Sequence, residues 1–197
     1  MELRAATFWM SGLGSGAQPQ AEFAAILERA IAGDVSAFEQ ILLRYERRVL
    51  SVAWRLLGKQ EDAQDAAQEV FLRAFRYLHR FDRRRPFEPW LMKMTVNVCH
   101  DLGRKRSQYP HEGVDPDFLR GSSDPHGDLH SEEQKQMLRR ALQELPEKER
   151  AAIVLRDIEG LSTAEVAEIL GSSEPTVRSQ ISSARLKIRK MLKRGNV

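Results

Sequence analysis

An all-α fold, built as two small helical domains, follows from three features of this 197-residue chain. Apolar residues recur at three- and four-residue spacing through most of the sequence, and no useful length alternates as a strand does. Helix punctuation separates the apolar stripes: Gly33-Asp34, Gly58, Gly160 and Gly171 each stand where one stripe stops. Between Gln108 and Glu133 the apolar period disappears, and prolines, glycines and clustered serines replace it. That gap predicts a flexible tail over 1–20, a helical domain over 21–106, an acidic linker over 107–130 and a second helical domain over 131–197.

The elements can be justified in order. Phe23, Ile26, Leu27 and Ile31 share one helical face, and Gly33-Asp34 ends that helix and starts the next. Ala37, Phe38, Ile41, Leu42, Tyr45, Val49, Leu50, Ala53, Leu56 and Leu57 continue the stripe to Gly58. A third helix is expected over about 61–79, with Ala66, Val70, Phe71, Ala74, Phe75 and Leu78 facing inward. Its other edge carries Asp62, Asp65, Gln68, Glu69 and Arg73; acidic residues in a first turn also complement the helix dipole, so simple capping explains part of that edge. A fourth helix is expected over about 89–105, started by Pro89. In the second domain, Ser131 and Gln134 have capping-box spacing, and Ala152, Ile153, Leu155 and Ile158 form a helix after Leu145-Pro146.

The chain then closes on a helix-turn-helix pattern over 161–194. Ser162 and Glu165 form a second capping box, Gly171 suits a helix C-terminus, and Ser173 caps a helix that tolerates Pro175 in its first turn. From Thr176 to Arg194 stand seven cations (Arg178, Arg185, Lys187, Arg189, Lys190, Lys193 and Arg194) and no acidic residue. A recognition helix enters the major groove and leans on phosphates with such a set. A second basic stretch, 81–106, has aromatics among its arginines: Phe81, Arg83, Arg84, Arg85, Phe87 and Trp90. That composition suits a surface that grips a strand and stacks on bases, although Trp90 alone reads as core beside Leu91, Met94 and Val98.

Composition excludes other classes. Formal net charge is +3 with 30% charged residues, which describes a globular chain with unevenly distributed charge. One cysteine, Cys99, leaves no internal disulfide and fits a reducing cytoplasm. No apolar run approaches the ~18 residues of a membrane span, and the first twenty residues lack a secretory pattern. No catalytic constellation emerges, so an enzyme is not expected, nor any cofactor or metal. His126, Asp128 and His130 have a ligand-like spacing but fall in the linker, and Cys99 reads as a buried thiol.

At this point the residues match a family. The segment DAQDAAQEVFLRA (62–74), the run from Pro89-Trp90-Leu91 through Asn97, Asp101 and Arg104, and the span 145–192 occur in the order of an extracytoplasmic-function (ECF) sigma factor. The chain resembles this two-domain branch of the sigma-70 family over about residues 21–193. The resemblance implies core RNA polymerase as partner, through its β′ clamp and β flap, and promoter DNA as the nucleic acid. Asp62, Asp65, Gln68, Glu69 and Arg73 would then meet the clamp. Arg83, Arg84, Arg85 and Phe87 would form the loop that captures a flipped base of the minus-ten element, with Lys93, Asn97, His100 and Arg104 on the following helix. Thr176, Arg178, Ser179, Gln180, Arg185 and Lys187 would face the minus-thirty-five element, Arg178 reaching a guanine edge and Arg185 resting on phosphate or in solvent.

The resemblance also raises an anti-sigma factor as a partner, whose existence the sequence leaves open. The linker has a net charge of −6 across Gln108–Glu133; it either imitates nucleic acid inside the polymerase or simply keeps the tether soluble. Two departures stand out: Ala66-Ala67 where the family has a bulkier aliphatic pair, and Glu174-Pro175 where it has a small, flexible residue before Thr176. The rival reading is an autonomous helix-turn-helix repressor or activator with a helical ligand-binding or dimerisation domain.

Overall fold

Eight α-helices appear among the described residues, which in this computed structural model are 17–108 and 129–194. In the N-terminal half, α1 (Ala17–Ile31), α2 (Val35–Leu57), α3 (Gln60–Tyr77) and α4 (Phe87–Gln108) pack around α2. A 3-10 turn, Leu78–Arg80, carries the chain out of α3. In the C-terminal half, α5 (Leu129–Gln143), α6 (Glu147–Ile153), α7 (Thr163–Leu170) and α8 (Glu174–Arg194) gather around α8, with a π-helical turn over Val154–Ile158.

Local chemistry sets the breaks. Asp34 caps α2 by accepting from the Ala37 amide at 3.1 Å, and the Arg29 guanidinium and that amide hold its carboxyl below the ordinary carboxylate value. Gly58 ends α2 in the left-handed region at φ 76°, which a side chain would strain, while its N–H donates to the Trp54 carbonyl. The Ser162–Glu165 capping box is formed in both directions: the Glu165 amide donates to Ser162 Oγ at 3.2 Å, and the Ser162 amide to Glu165 Oε2 at 2.8 Å. Gly171 closes α7 at φ 58°, and Ser173 Oγ accepts from the Thr176 amide at 3.3 Å to open α8.

Several expected details differ. Helix α1 starts at Ala17, so residues 17–20 are helical rather than tail, and residues 1–16 lie outside the described set. Helix α4 starts at Phe87, two residues before Pro89; a proline within the first turn has no amide that an α-helical bond would need. Helix α5 begins at Leu129, so Ser131 sits inside it and is not its N-cap. Phe75, expected inward, is 52% exposed and makes an edge contact with Phe38, ring centroids 5.0 Å apart. Ile158 is 39% exposed because the π-turn shifts the register of its face.

The two halves share one core. Buried residues run from Ala37, Ile41 and Val52 in α2, through Leu91 and Val96 in α4, to Leu155, Val166 and Val177 in the C-terminal half. Helix α7 packs on α4, while α5, α6 and the π-turn pack on α2. The approach is close: a Cβ at Gly58 would lie 2.6 Å from Gln143 Oε1.

Candidate nucleic-acid and partner interfaces

The acidic edge of α3 divides when its side chains are placed. Asp65 and Gln68 are exposed and aligned with Leu72 and Phe75, at spacings of three, four and three residues along one helix line. Leu72 is 57% exposed, as large an unburied apolar surface as the helix presents beside Phe75. Neither residue was picked out as functional from periodicity, because an apolar residue on an apolar helix reads as core. Glu69 and Arg73 form an i,i+4 ion pair at 2.6 Å, and Arg73 reaches Asp101 of α4 at 3.4 Å. Asp62 lies to the side of that line, in the wall of a cavity of about 300 Å³ with Cys99, His100, Arg104, Glu147 and Arg150.

The loop after α3 is a cationic arch on an aromatic base. Phe87 is 5% exposed and sits among Phe23, Tyr45, Phe81 and Trp90, with ring centroids 5.4–5.6 Å away. So placed, it supports the arch from below, whereas the resemblance placed it among the residues that meet DNA. Trp90 is partly buried against the same core, in keeping with the core reading of that residue. Above them every arginine has an acidic partner. Arg83 pairs with Glu28 at 2.9 Å, Arg84 with Asp82 at 3.0 Å, and Arg85 with Glu168 of α7. The Asp82 carboxyl, held chiefly by the Arg84 side chain and amide, lies below its ordinary value. Lys93 and Asn97 are exposed on the next helix, whereas His100 turns inward, its Nε2 3.4 Å from Glu147 Oε1. Arg104 lines the same cavity as His100.

Helix α8 presents its first turns and ties down its middle. Val177, Ile181 and Ala184 face the core, leaving Thr176, Arg178 and Ser179 exposed. Arg178 is paired with Glu174 at 2.6 Å, so the unusual first residue of the recognition helix holds its leading arginine. Gln180 is only half-buried and its Oε1 has no protein partner. Arg185 and Lys187 both have acidic partners within the domain. Arg185 makes two bonds to Asp157, at 2.8 and 2.6 Å, and Lys187 two to Glu149, at 2.8 and 2.9 Å. Arg185 reaches from α8 to the π-turn and Lys187 from α8 to α6, so both brace the domain.

Beside that brace runs an apolar groove of about 680 Å³ between α5, the π-turn and α8, with Leu138, Leu142, Ile158, Ile188 and Leu192 in its walls and Arg189 and Lys193 at its edge. Cys99 is buried, and burial pushes its thiol up to about 12, which leaves it a poor nucleophile at neutral pH. Among the described residues no helix is long and apolar enough to cross a membrane. His126 and Asp128 lie outside the described residues, as does most of the acidic linker.

Comparison with known proteins fits this architecture. Family models for Sigma-70 region 2 and for Sigma-70, region 4 match residues 41–109 and 135–188 respectively. The ECF RNA polymerase sigma factor SigE of Mycolicibacterium smegmatis is 37% identical over 166 residues, covering 81% of this chain and 64% of that protein. The RNA polymerase sigma-H factor of Pseudomonas aeruginosa is 31% identical over 85% of this chain and 92% of its own length. The ECF RNA polymerase sigma-E factor of Escherichia coli is 33% identical over 81% of this chain and 88% of its own. Among solved structures, CnrH in complex with the cytosolic domain of CnrY superposes at a TM-score of 0.67, with 26% identity, over 86% of this chain and 96% of that one. The sigma factor RpoE of Bartonella quintana, in complex with the anti-sigma factor NepR, gives 0.67 and 26% over 79% and 96%. The chain belongs to the sigma-70 family of transcription initiation factors, which are not classical enzymes. Within that family it falls in the ECF branch of RNA polymerase sigma factors, and this displaces the reading as an autonomous repressor or activator.

Proposed function

We propose that this sigma factor docks on core RNA polymerase through the exposed line of α3 and reads a promoter with two separate basic surfaces. The observation that carries the docking face is the pairing of Asp65 and Gln68 with Leu72 and Phe75, two large apolar side chains left 57% and 52% exposed beside polar ones. A mixed strip of that kind suits an interface with an apolar centre and a polar rim. Glu69 and Arg73 flank it as a paired edge, and Asp62 belongs instead to the cavity beside it. The apolar groove beside α8, with its basic edge, is a second docking face, for the β flap.

For the minus-ten element the reading assigns Arg83, Arg84 and Arg85 to the arch, with Lys93 and Asn97 extending it along α4 and His100 and Arg104 at its far end. Phe87 and Phe81 set the height of the arch from below. Extruding a base costs a few kcal/mol of stacking, and three arginines over a rigid aromatic base offset it through phosphate and base-edge contacts. For the minus-thirty-five element the exposed Thr176, Arg178 and Ser179 lead α8 into the major groove, with Gln180 deeper in. The factor acts in the cytoplasm, where its polymerase is, and a relative's complex with an anti-sigma factor supports regulation by a partner of that kind.

Pull-down with core polymerase tests the docking face. Asp65→Lys and Phe75→Ser are each expected to cut retention at least about tenfold while the helical signal is unchanged. Retention at the unmodified level in both variants would sink the assignment.

A further inference from the structure

The recognition helix begins with a carboxylate at the end that leads into DNA. Glu174 opens α8, and its Oε2 accepts from Arg178 Nη2 at 2.6 Å, one turn further along the helix. The two side chains are 43% and 63% exposed, so the pair holds no other element in place. Arg185 and Lys187 differ in this respect, because their partners Asp157 and Glu149 lie on other segments. Nor does the start of α8 depend on Glu174. Ser173 Oγ already accepts from the Thr176 amide at 3.3 Å, and the two hydroxyls lie 2.7 Å apart. Pro175, with its fixed φ, stiffens the backbone beside Glu174.

A carboxylate in this place works against general affinity. Arginine and lysine bind any DNA by neutralising phosphates, and an anion beside one of them offsets about one such contact. From Thr176 to Arg194 no further acidic residue occurs, so Glu174 is the exception on a basic helix. What the pair can supply is direction. A guanidinium has five N–H donors; Glu174 takes one, and those left suffice for a two-bond fork on guanine O6 and N7. An untethered arginine on an exposed turn has many rotamers and meets phosphate on every sequence, which carries no base information. Tied at Nη2, Arg178 has lost much of that choice before DNA arrives.

We propose that Glu174 is a specificity-determining positioning residue, which aims Arg178 at a guanine edge and keeps it from becoming a sequence-blind phosphate contact. This rests on the assignment of Arg178 to the minus-thirty-five element. Without the carboxylate, Arg178 is released to the nearest phosphate. General affinity then rises while the choice among promoters falls. A role confined to the helix dipole predicts something else, because a weaker helix start lowers affinity for every promoter alike.

The test measures equilibrium binding of holoenzyme, formed with the full chain, to promoter duplexes that differ at single positions of the minus-thirty-five element. Glu174→Ala, Glu174→Gln, Arg178→Ala and the double variant Glu174→Ala/Arg178→Ala are compared with the unmodified chain across a salt series. Glu174→Ala is expected to lower the preference for guanine at one position about fivefold and to bind mismatched promoters more tightly. Its slope of log affinity against log salt should steepen by about one, as Arg178 takes a phosphate. Glu174→Gln, whose amide oxygen still accepts from Arg178, should keep the preference within about twofold of the unmodified chain. The double variant should match Arg178→Ala, since Glu174 acts through that residue. A full preference in Glu174→Ala, a Glu174→Gln variant that loses as much as Glu174→Ala, or a double variant less selective than Arg178→Ala overturns the proposal. If Arg178→Ala itself leaves the preference intact at every position, the base-contact assignment of Arg178 fails, and the proposal with it.

Discussion

Arg150 is the side chain on which the junction between α5, α6 and α2 depends, and replacing it by Met isolates its polar contribution. Its guanidinium donates to the Leu56 carbonyl at 2.6 Å, Gln143 Oε1 at 2.8 Å, the Gln143 carbonyl at 2.9 Å and the Leu145 carbonyl at 3.0 Å. Hydrogen bonds from a charged donor contribute about 1.5–3 kcal/mol each, so four would sum to about 6–12 kcal/mol taken alone. Two effects reduce that. Burial opposes the charge, as the lowered pKa of Arg150 records, so removing the cation regains several kcal/mol of desolvation. The carbonyls at the end of α5 can also take water in its place. Arg150→Met is therefore expected to cost about 3 kcal/mol, which for a chain of this length lowers the melting midpoint by about 6–12 °C. Thermal unfolding followed by circular dichroism reads this directly. A loss below about 1 kcal/mol would refute the reasoning, because the four carbonyl and amide contacts would then be worth no more than hydration.

Three further outcomes follow from single sites. Ser162→Ala removes one half of the capping box of α7 and is expected to cost about 1 kcal/mol, while Ser162→Asn should retain most of it; equal losses in the two would argue against capping. Cys99, with its thiol at about 12, should be about one part in ten thousand thiolate at pH 8, so native alkylation is slow, rises with pH towards 12 and becomes rapid in denaturant; fast native labelling at pH 8 contradicts the burial. Arg178→Ala is expected to relax preference at one position of the minus-thirty-five element by about 1–3 kcal/mol, read by competition among variant promoters with holoenzyme; uniform weakening across sequences would make it a phosphate contact.

How much of this was legible in the sequence depends on the kind of signal. Helix punctuation was readable because it rests on local chemistry: Asp34, Gly58, the Ser162–Glu165 box and Gly171 act on backbone groups within a few residues. Helix starts at Phe87 and Leu129 were misplaced because Pro89 and Ser131 are each tolerated two residues inside a helix as well as at its edge. Charge was the less reliable guide. Seven cations in α8 read as one DNA-facing run, yet Arg185 and Lys187 are consumed by Asp157 and Glu149, more than twenty residues earlier in the chain. Phe87 lay in an arginine-rich loop and therefore resembled a stacking residue, whereas three aromatic neighbours from other segments, with Trp90 of its own helix, bury it. The contact between the halves had no sequence signature, because Arg48 and Glu159 are 111 positions apart and each would pass as an ordinary surface charge.

Reconstituted transcription tests the central claim most directly. Core RNA polymerase lacking any sigma factor, supplied with this protein and a pool of genomic template, should start transcripts at sites sharing a minus-ten and a minus-thirty-five element. Asp65→Lys should abolish those starts, and Arg178→Ala should blur the upstream consensus. Starts that are no more specific than those of core polymerase alone, or a protein that binds duplex promoter tightly without polymerase, would contradict it.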